Sequence, residues 1–479
     1  MERRELLIAD APPEQRGVLE VRAPWDGAVL AQVETAGPAH VERALDVAYQ
    51  LYRHRSTWLP VHERLAILAQ LETLMREQAE SLALQAAGEG GKPLADSRVE
   101  VARAIDGVRI CADVLRTEEG EVVPMGATAA GAGRVAFTFH EPVGVVVAVS
   151  AFNHPLNLIV HQVCAAVAAG CPVIVKPAGD TPLSCHSLVS LLHQAGLPEA
   201  WAQCAVTESN ELAEALVTDP RVGFFSFIGS ARVGWMLRSR LAPGTRCALE
   251  HGGAAPLIVA EDADLAVAVP AILKGGFYHA GQVCVSVQRV YVHASLAQEL
   301  ASRLATGADA LRIGDPTLAD TEVGPLIRER EVDRVSRWVT EAVAGGAVLR
   351  AGGQRLSAST HACTVLESPP ADARVSTEEV FGPVVCVYPF DELGEAYAQA
   401  NALPLAFQSA VFTRSVDVAL SAARHLDASA VMVNDHTAFR VDGMPFAGLR
   451  ESGLGVGGIT HTMRDMRVNK MVVIRSPAL

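Results

Sequence analysis

The chain has 479 residues, half of them hydrophobic and 20% charged, a size and balance that exclude a disordered protein and a lone small binding module. Lys and Arg number 40 against 54 Asp and Glu, a formal net charge of −14, so a nucleic-acid backbone or an anionic membrane surface would meet repulsion outside a local basic patch. No apolar run reaches the ~20 residues of a membrane span, no export signal is evident at the N-terminus, and nine cysteines without a Cys-x-x-Cys pair fit reduced thiols. The expected setting is therefore the cytoplasm, with neither membrane nor nucleic acid as partner.

After a polar lead, residues 41 to 87 read as helices with a break at Pro60, the second carrying Leu65, Leu68, Leu71 and Leu74 as its apolar stripe. Gly88, Gly90 and Gly91 end it. The stretch Gly88-Glu89-Gly90-Gly91-Lys92-Pro93 is not a phosphate loop, because Pro93 stands where a Ser or Thr would have to hold magnesium. Another helix follows, with Val99, Ala102, Ile105, Val108, Cys111 or Ala112, and Leu115 on one face. Val135, Phe137 and Phe139 then alternate with Ala136, Thr138 and His140 in the period of a strand, read as part of an arm.

From Val143 short β-rich runs alternate with helices: strands at 143–149, 172–175, 203–206, 222–227 and 247–250, helices at 155–169 and 183–195. This is the pattern of a doubly wound parallel sheet of the nucleotide-binding kind. A second α/β region starts near Pro256 and runs to about Gly455, and residues 470–474 form a last strand able to pair with the arm.

Chemistry concentrates in a few of the connecting segments. Eight of the nine cysteines read as core residues, whereas Cys284, in Gly281-Gln282-Val283-Cys284, keeps different company. Glu250 ends a predicted strand and is followed by His251-Gly252-Gly253, where loops build sites in open α/β sheets and a Gly pair permits close approach. Asn153, in Phe152-Asn153-His154-Pro155, opens a helix; alone it reads as a cap, but a thiol, a carboxylate and an amide donor on strand-end loops are together what acyl transfer through a thioester requires. Gly229 and Ser230 pass from strand to helix where a pyrophosphate can be received. Lys176 ends another strand, within reach of ribose or phosphate oxygens.

In this order the segments, with Glu379-Val380-Phe381-Gly382-Pro383, resemble the aldehyde dehydrogenase superfamily over nearly the whole chain. The resemblance implies an α/β, aldehyde dehydrogenase-like fold of two doubly wound α/β domains with a bridging β-arm. Residues 1–120 and 141–250 would bind the cofactor, 251–455 would carry catalysis, and 121–140 with 463–479 would form the arm of a homodimer or homotetramer. It implies NAD(P)-dependent oxidation of a small aldehyde to its acid, with Cys284 as nucleophile, Glu250 as base and Asn153 as oxyanion donor. Lys176, Gly179, Gly229, Ser230, Glu379 and Phe381 are the implied cofactor residues, with no metal. Arg103, His154 and Arg440 resemble positions lining the entrance in members acting on anionic or hydroxylated aldehydes such as succinate semialdehyde, lactaldehyde and phosphonoacetaldehyde. Arg103 can instead pair with Glu100 or Asp106, and Arg440 with Asp442.

Lys176 is followed by Pro177, Ala178 and Gly179, where NAD-preferring members often carry a Glu, so NADP is expected to be accepted at least as well as NAD, although Asp180 lies next door. Two further departures concern His251, read as a packed or hydrogen-bonded histidine beside the base, and Pro445-Phe446-Ala447-Gly448-Leu449-Arg450, where Ala and Arg replace the familiar Gly and Lys and leave fine substrate placement open. The competing readings are a semialdehyde dehydrogenase with coenzyme A as acyl acceptor and a catalytically silent binding relative.

Overall fold

A computed structural model describes residues 2–13 and 16–479. Two β-sheets organise the chain. The first has six strands in the spatial order Gly453–Leu454, Arg246–Glu250, Val222–Ile228, Val145–Val149, Val173–Lys176, Ala202–Cys204. All its neighbours run parallel except the two-residue Gly453–Leu454 strand. Val145 to Ala148 and Val173 to Val175 are fully buried, because helices cover both faces; this is why the sequence there is continuously apolar rather than alternating. The strand order reverses between Val145–Val149 and Val222–Ile228, and at such a switch point the loops after adjacent strands diverge and leave a crevice.

The second sheet has seven strands in the order Val348–Ala351, Thr364–Glu367, Val384–Phe390, Val287–His293, Ala255–Val259, Gln408–Phe412, Ala430–Val433. Only Val348–Ala351 is antiparallel to its neighbour. A third, three-stranded sheet pairs Arg467–Arg475 antiparallel with Arg134–Pro142, which also takes Val122–Val123. The C-terminal strand is thus the partner of the alternating segment, and Phe137, Phe139, Met471, Val473 and Ile474 are left exposed on it.

Several expectations are corrected. The polar lead contains a sheet of its own, Glu2–Arg4 parallel to Val29–Glu34 and Val18–Arg22 antiparallel to it. The long helix predicted over 62–87 is two, Val61–Glu77 and Ala79–Gly90; Ile67, Leu68, Leu71 and Met75 form the buried face of the first, while Leu65 and Leu74 are only half-buried. In the helix Leu94–Arg116, Val99 and Ala102 face outward, and the buried stripe runs through Ser97, Glu100, Val101, Ala104, Ile105 and Val108. A polar–apolar reading rotated that face because it gave the acid Glu100 to solvent, whereas the fold supplies it with a buried cation. The chain also returns to the first sheet at Gly453–Leu454, within the stretch assigned by resemblance to the catalytic unit. Among the described residues no helix is long and apolar enough to cross a membrane.

Candidate active site

The crevice at the switch point opens into a cavity of about 1130 Å³, and every candidate catalytic, cofactor and substrate residue named from the resemblance lines it. The first sheet contributes the C-terminal ends of its strands. Asn153 follows Val145–Val149, Lys176 ends Val173–Lys176, Gly229 follows Val222–Ile228, and Glu250 ends Arg246–Glu250. The second sheet contributes segments that enter its strands: Cys284 before Val287–His293, and Glu379 and Phe381 before Val384–Phe390.

Cys284 lies in a tight turn reached through a strained backbone. His279 and Ala280 have φ of 50° and 53°, and Gly281, at φ 70°, passes so close to Gly382 that a Cβ would sit 2.1 Å from its carbonyl oxygen. Non-glycine residues adopt such angles only when the surroundings fix them. Here Gln282 does the fixing: its side chain donates to the His279 and Pro325 carbonyls, both at 3.2 Å, and accepts the Ile327 N–H at 2.9 Å. Asn153 Nδ2 donates to the Gln282 carbonyl at 3.0 Å, so one of its two amide protons tethers it to the cysteine loop and the other remains available. Cys284 Sγ is 3.8 Å from Glu250 Oε1. Burial, and then the Glu250 charge, push the thiol well above its usual range, while the Arg440 guanidinium pulls it down. Glu250 is itself raised by burial, again against the pull of Arg440.

At the other end of the cavity Glu379 is half-buried, its carboxyl pushed up to about 8 by desolvation against a hydrogen bond from the Gly253 N–H, and its buried Oε1 has no hydrogen-bond partner among the described residues. Gly252 makes room for it; a Cβ there would stand 1.6 Å from Glu379 Oε1. A buried carboxyl oxygen left unpaired costs free energy until a hydroxyl meets it. Phe381, at φ 43°, meets Phe152 edge-on at 5.8 Å. Ser230 precedes the helix Ala231–Arg238, whose N-terminal end lines the same space with Lys176 and Gly179. A carboxyl oxygen left without a partner, a lysine and a helix N-terminus in one crevice fit a pyridine dinucleotide.

The entrance residues are placed together but not as free cations. Asp442 accepts the Arg103 fork at 3.0 and 2.8 Å, together with Asn157 Nδ2 at 3.0 Å and His161 Nε2 at 2.7 Å. Arg103 therefore pairs with neither Glu100 nor Asp106, and Asp442 is not the partner of Arg440. Arg440 forms no ion pair among the described residues; its guanidinium stacks 3.6 Å above the Phe446 ring with a buried, unpartnered Nε. His154 is held by Lys92, whose Nζ is 2.6 Å from its Nδ1. His251 packs against Phe227 and Trp235 and shares a 2.9 Å hydrogen bond with the Gly229 carbonyl. Arg450 is on the surface, bonded to Asp427 and to the Asn401 and Leu403 carbonyls, so its departure from the family pattern does not bear on the cavity.

Sequence reading missed the polar residues that hold this wall. Lys92 and Glu100 are a fully buried ion pair. Glu89, pushed up to about 7 by burial, accepts the Leu183 and Ser184 N–H groups at 2.7 and 2.8 Å at the start of the helix Pro182–Gln194. The available signal was Glu89 and Lys92 set among glycines, and Glu100 flanked by Val99 and Val101 on the helix.

Residues 11–472 match the aldehyde dehydrogenase family. A 3-sulfolactaldehyde dehydrogenase of Priestia megaterium is 35% identical over 456 residues, 95% of this chain and 94% of that protein. Among solved structures, aldehyde dehydrogenase 21 of Physcomitrella patens in complex with its product succinate superposes with a TM-score of 0.95 at 34% identity, covering 99% of this chain and 98% of that one. A glyceraldehyde-3-phosphate dehydrogenase of Methanocaldococcus jannaschii complexed with NADP does so at 0.91 with 32% identity, covering 97% and 100%. A match that spans almost all of the chain, around a cavity fitted for a dinucleotide, makes this protein a member of the aldehyde dehydrogenase family, an NAD(P)-dependent enzyme that oxidises aldehydes.

Proposed function

We propose that the enzyme converts a short aldehyde with an anionic or hydroxylated far end to its carboxylic acid, with Cys284 as nucleophile, Glu250 as base and Asn153 as oxyanion donor. The carrying observation is Cys284 Sγ at 3.8 Å from Glu250 Oε1 in a cavity that also holds the unpaired Arg440 guanidinium. The thiol is the resting form, and its proton passes to the Glu250 carboxylate as sulfur bonds to the carbonyl carbon. The second amide proton of Asn153 and the Cys284 backbone N–H hold the resulting oxyanion, each such donor being worth ~3–4 kcal/mol in the transition state. When bound, the nicotinamide dinucleotide supplies the hydride acceptor that turns the thiohemiacetal into a thioester. Glu250 passes the thiol proton on to solvent and, its affinity for protons raised by burial, then takes one from the water that hydrolyses the thioester. A base at this position supports water rather than coenzyme A as acyl acceptor.

Three observations support the substrate class: Arg440 faces the cavity without an ion-pair partner, the Priestia relative is named for an anionic hydroxyaldehyde, and the Physcomitrella structure holds succinate. Arg103 contributes less than its charge suggests, because Asp442 takes Nε and Nη2 and leaves Nη1. We read residues 1–120 and 141–250, joined by the returning Gly453–Leu454 strand, as the cofactor unit and the rest of 251–455 as the catalytic unit. The exposed apolar strands of the arm support a homodimer or homotetramer, and the composition supports a cytoplasmic enzyme. The test is formation of reduced cofactor with succinate semialdehyde and with butanal, on the wild type and on Cys284→Ala. Succinate semialdehyde is the better substrate and Cys284→Ala is inactive while still binding cofactor; a better rate with butanal removes the substrate class, and turnover by the variant removes the nucleophile.

A further inference from the structure

We propose that Lys92 fixes His154 as a neutral imidazole with its proton on Nε2, so that the cavity wall presents an uncharged hydrogen-bond donor to an oxygen at the far end of the aldehyde. The inference rests on the substrate reading above and adds to it a positioning residue that does not itself touch substrate.

Backbone geometry drives Lys92 inward. Gly91 caps the helix Ala79–Gly90 at φ 75°, where a Cβ would press on Pro325 and Pro24 at 2.9 and 3.0 Å. Pro93 then fixes the following turn, and the whole Lys92 side chain is buried. Its ammonium pairs with Glu100, equally buried, and lies 2.6 Å from His154 Nδ1. Glu100 Oε1 in turn accepts the Leu156 and Asn157 N–H groups at 2.9 and 3.0 Å. One carboxylate therefore anchors both the cation and the loop that carries His154.

Desolvation lowers the proton affinity of Lys92 and the paired Glu100 carboxylate opposes that loss; held as an ammonium, it has three protons to give and no lone pair to accept with. Facing Lys92, Nδ1 can only be the acceptor, and the imidazole proton must sit on Nε2. The ring lines the cavity, and Nε2 has no hydrogen-bond partner among the described residues. A second proton on the ring is opposed on several sides. Lys92, Arg103, His279 and Arg440 are the cationic or basic groups around it, and the Tyr278 ring lies 6.1 Å away. Glu100, 3.9 Å from Nδ1, is already committed to Lys92. Desolvation and the neighbouring cations hold His154 well below the usual histidine range. The result is a donor that suits a carboxylate, sulfonate or hydroxyl oxygen and is left unpaired by a methyl end.

Lys92→Met alone would strand the Glu100 charge in the core, so it is combined with Glu100→Gln, whose amide oxygen still accepts from Leu156 and Asn157. The first readout is nitrogen NMR of histidine-labelled protein between pH 6 and 8, with the His154 signals assigned by their loss in His154→Gln. The wild type is expected to show a bare Nδ1 and a protonated Nε2 throughout, and the Lys92→Met/Glu100→Gln protein to lose that fixed state. An imidazolium or an Nδ1–H tautomer in the wild type overturns the proposal whatever the substrate is. The second readout is kinetic. The paired variant is expected to raise KM for succinate semialdehyde roughly tenfold relative to butanal, the effect of one lost polar contact, with little change in kcat. In a His154→Phe background it should change that ratio no further. Equal losses for both substrates, or an undiminished effect without the imidazole, overturn it. A wild type that prefers butanal defeats the substrate reading instead, and the NMR result still decides the role of Lys92.

Discussion

Arg440→Ala tests the anion pocket most directly, because the guanidinium does two separable things. Its Nε is buried without a partner and its Cζ rests 3.6 Å from the centre of the Phe446 ring, so the group is held in place and already desolvated before substrate arrives. A carboxylate there would gain charge-assisted hydrogen bonds of ~1.5–3 kcal/mol each, and one such bond is roughly 10- to 150-fold in kcat/KM. The same positive charge also lowers the proton affinity of Cys284 and Glu250, and its loss slows attack on any aldehyde. Only the ratio of kcat/KM for succinate semialdehyde to that for butanal isolates the binding contribution. In Arg440→Ala that ratio should fall by at least about tenfold, and Arg440→Lys should recover part of it, since an ammonium restores the charge without the fork. A variant that loses the same factor on both substrates would show that Arg440 acts only on the thiol and the base.

Glu250→Gln removes the acceptor for both the thiol proton and the proton of the hydrolytic water, so the first turnover and the steady-state formation of reduced cofactor should both slow, by about 10²–10⁴-fold; rapid quench would detect it, and steady full-rate turnover would remove Glu250 from the base role. Because the Glu250 carboxyl is raised above 4.5, the wild-type rate should fall on the acid side with an apparent pKa above that value, as the base becomes protonated. For the cofactor, Asp180 is held in a bidentate pair by Arg328, with Nε at 2.7 Å, so its charge does not oppose a 2′-phosphate near Lys176; NADP should match or exceed NAD in kcat/KM, and a hundredfold preference for NAD would refute this. Asp442→Asn leaves Arg103 in a buried network without its carboxylate and should cost ~3–5 kcal/mol in urea unfolding at pH 7. The native Asp442 carboxyl is lowered far below 3.8, so its stabilisation is complete above the unfolded value and declines as pH falls beneath it; the gap between wild type and variant should be constant from pH 8 to 5 and narrow below about pH 4, and a gap that widens on acidification would refute the assignment.

The parallel sheets were legible because strands covered on both faces must be continuously apolar: the runs 143–149, 172–175 and 222–227 each overlap an observed strand. The chemical residues were legible for a related reason, since Cys284, Glu250 and Asn153 sit in short glycine- or proline-marked segments at strand ends, where side chains are not needed for packing. The alternating Val135, Phe137 and Phe139 likewise announced a strand with one open face. What the sequence could not order is which polar side chain meets which across long separations. Glu100 occupies a helical position that propensity and polarity assign to water, and it is buried only because the capped, proline-locked turn at Gly91 to Pro93 delivers Lys92 to it. Arg103 had acids within helical reach, yet its fork is filled by Asp442, 339 residues away, which also gathers Asn157 and His161. Local periodicity reports which face of an element is apolar. The charge, tautomer and availability of a buried group depend instead on partners brought to it by the packing of distant segments, and only the tertiary structure decides those.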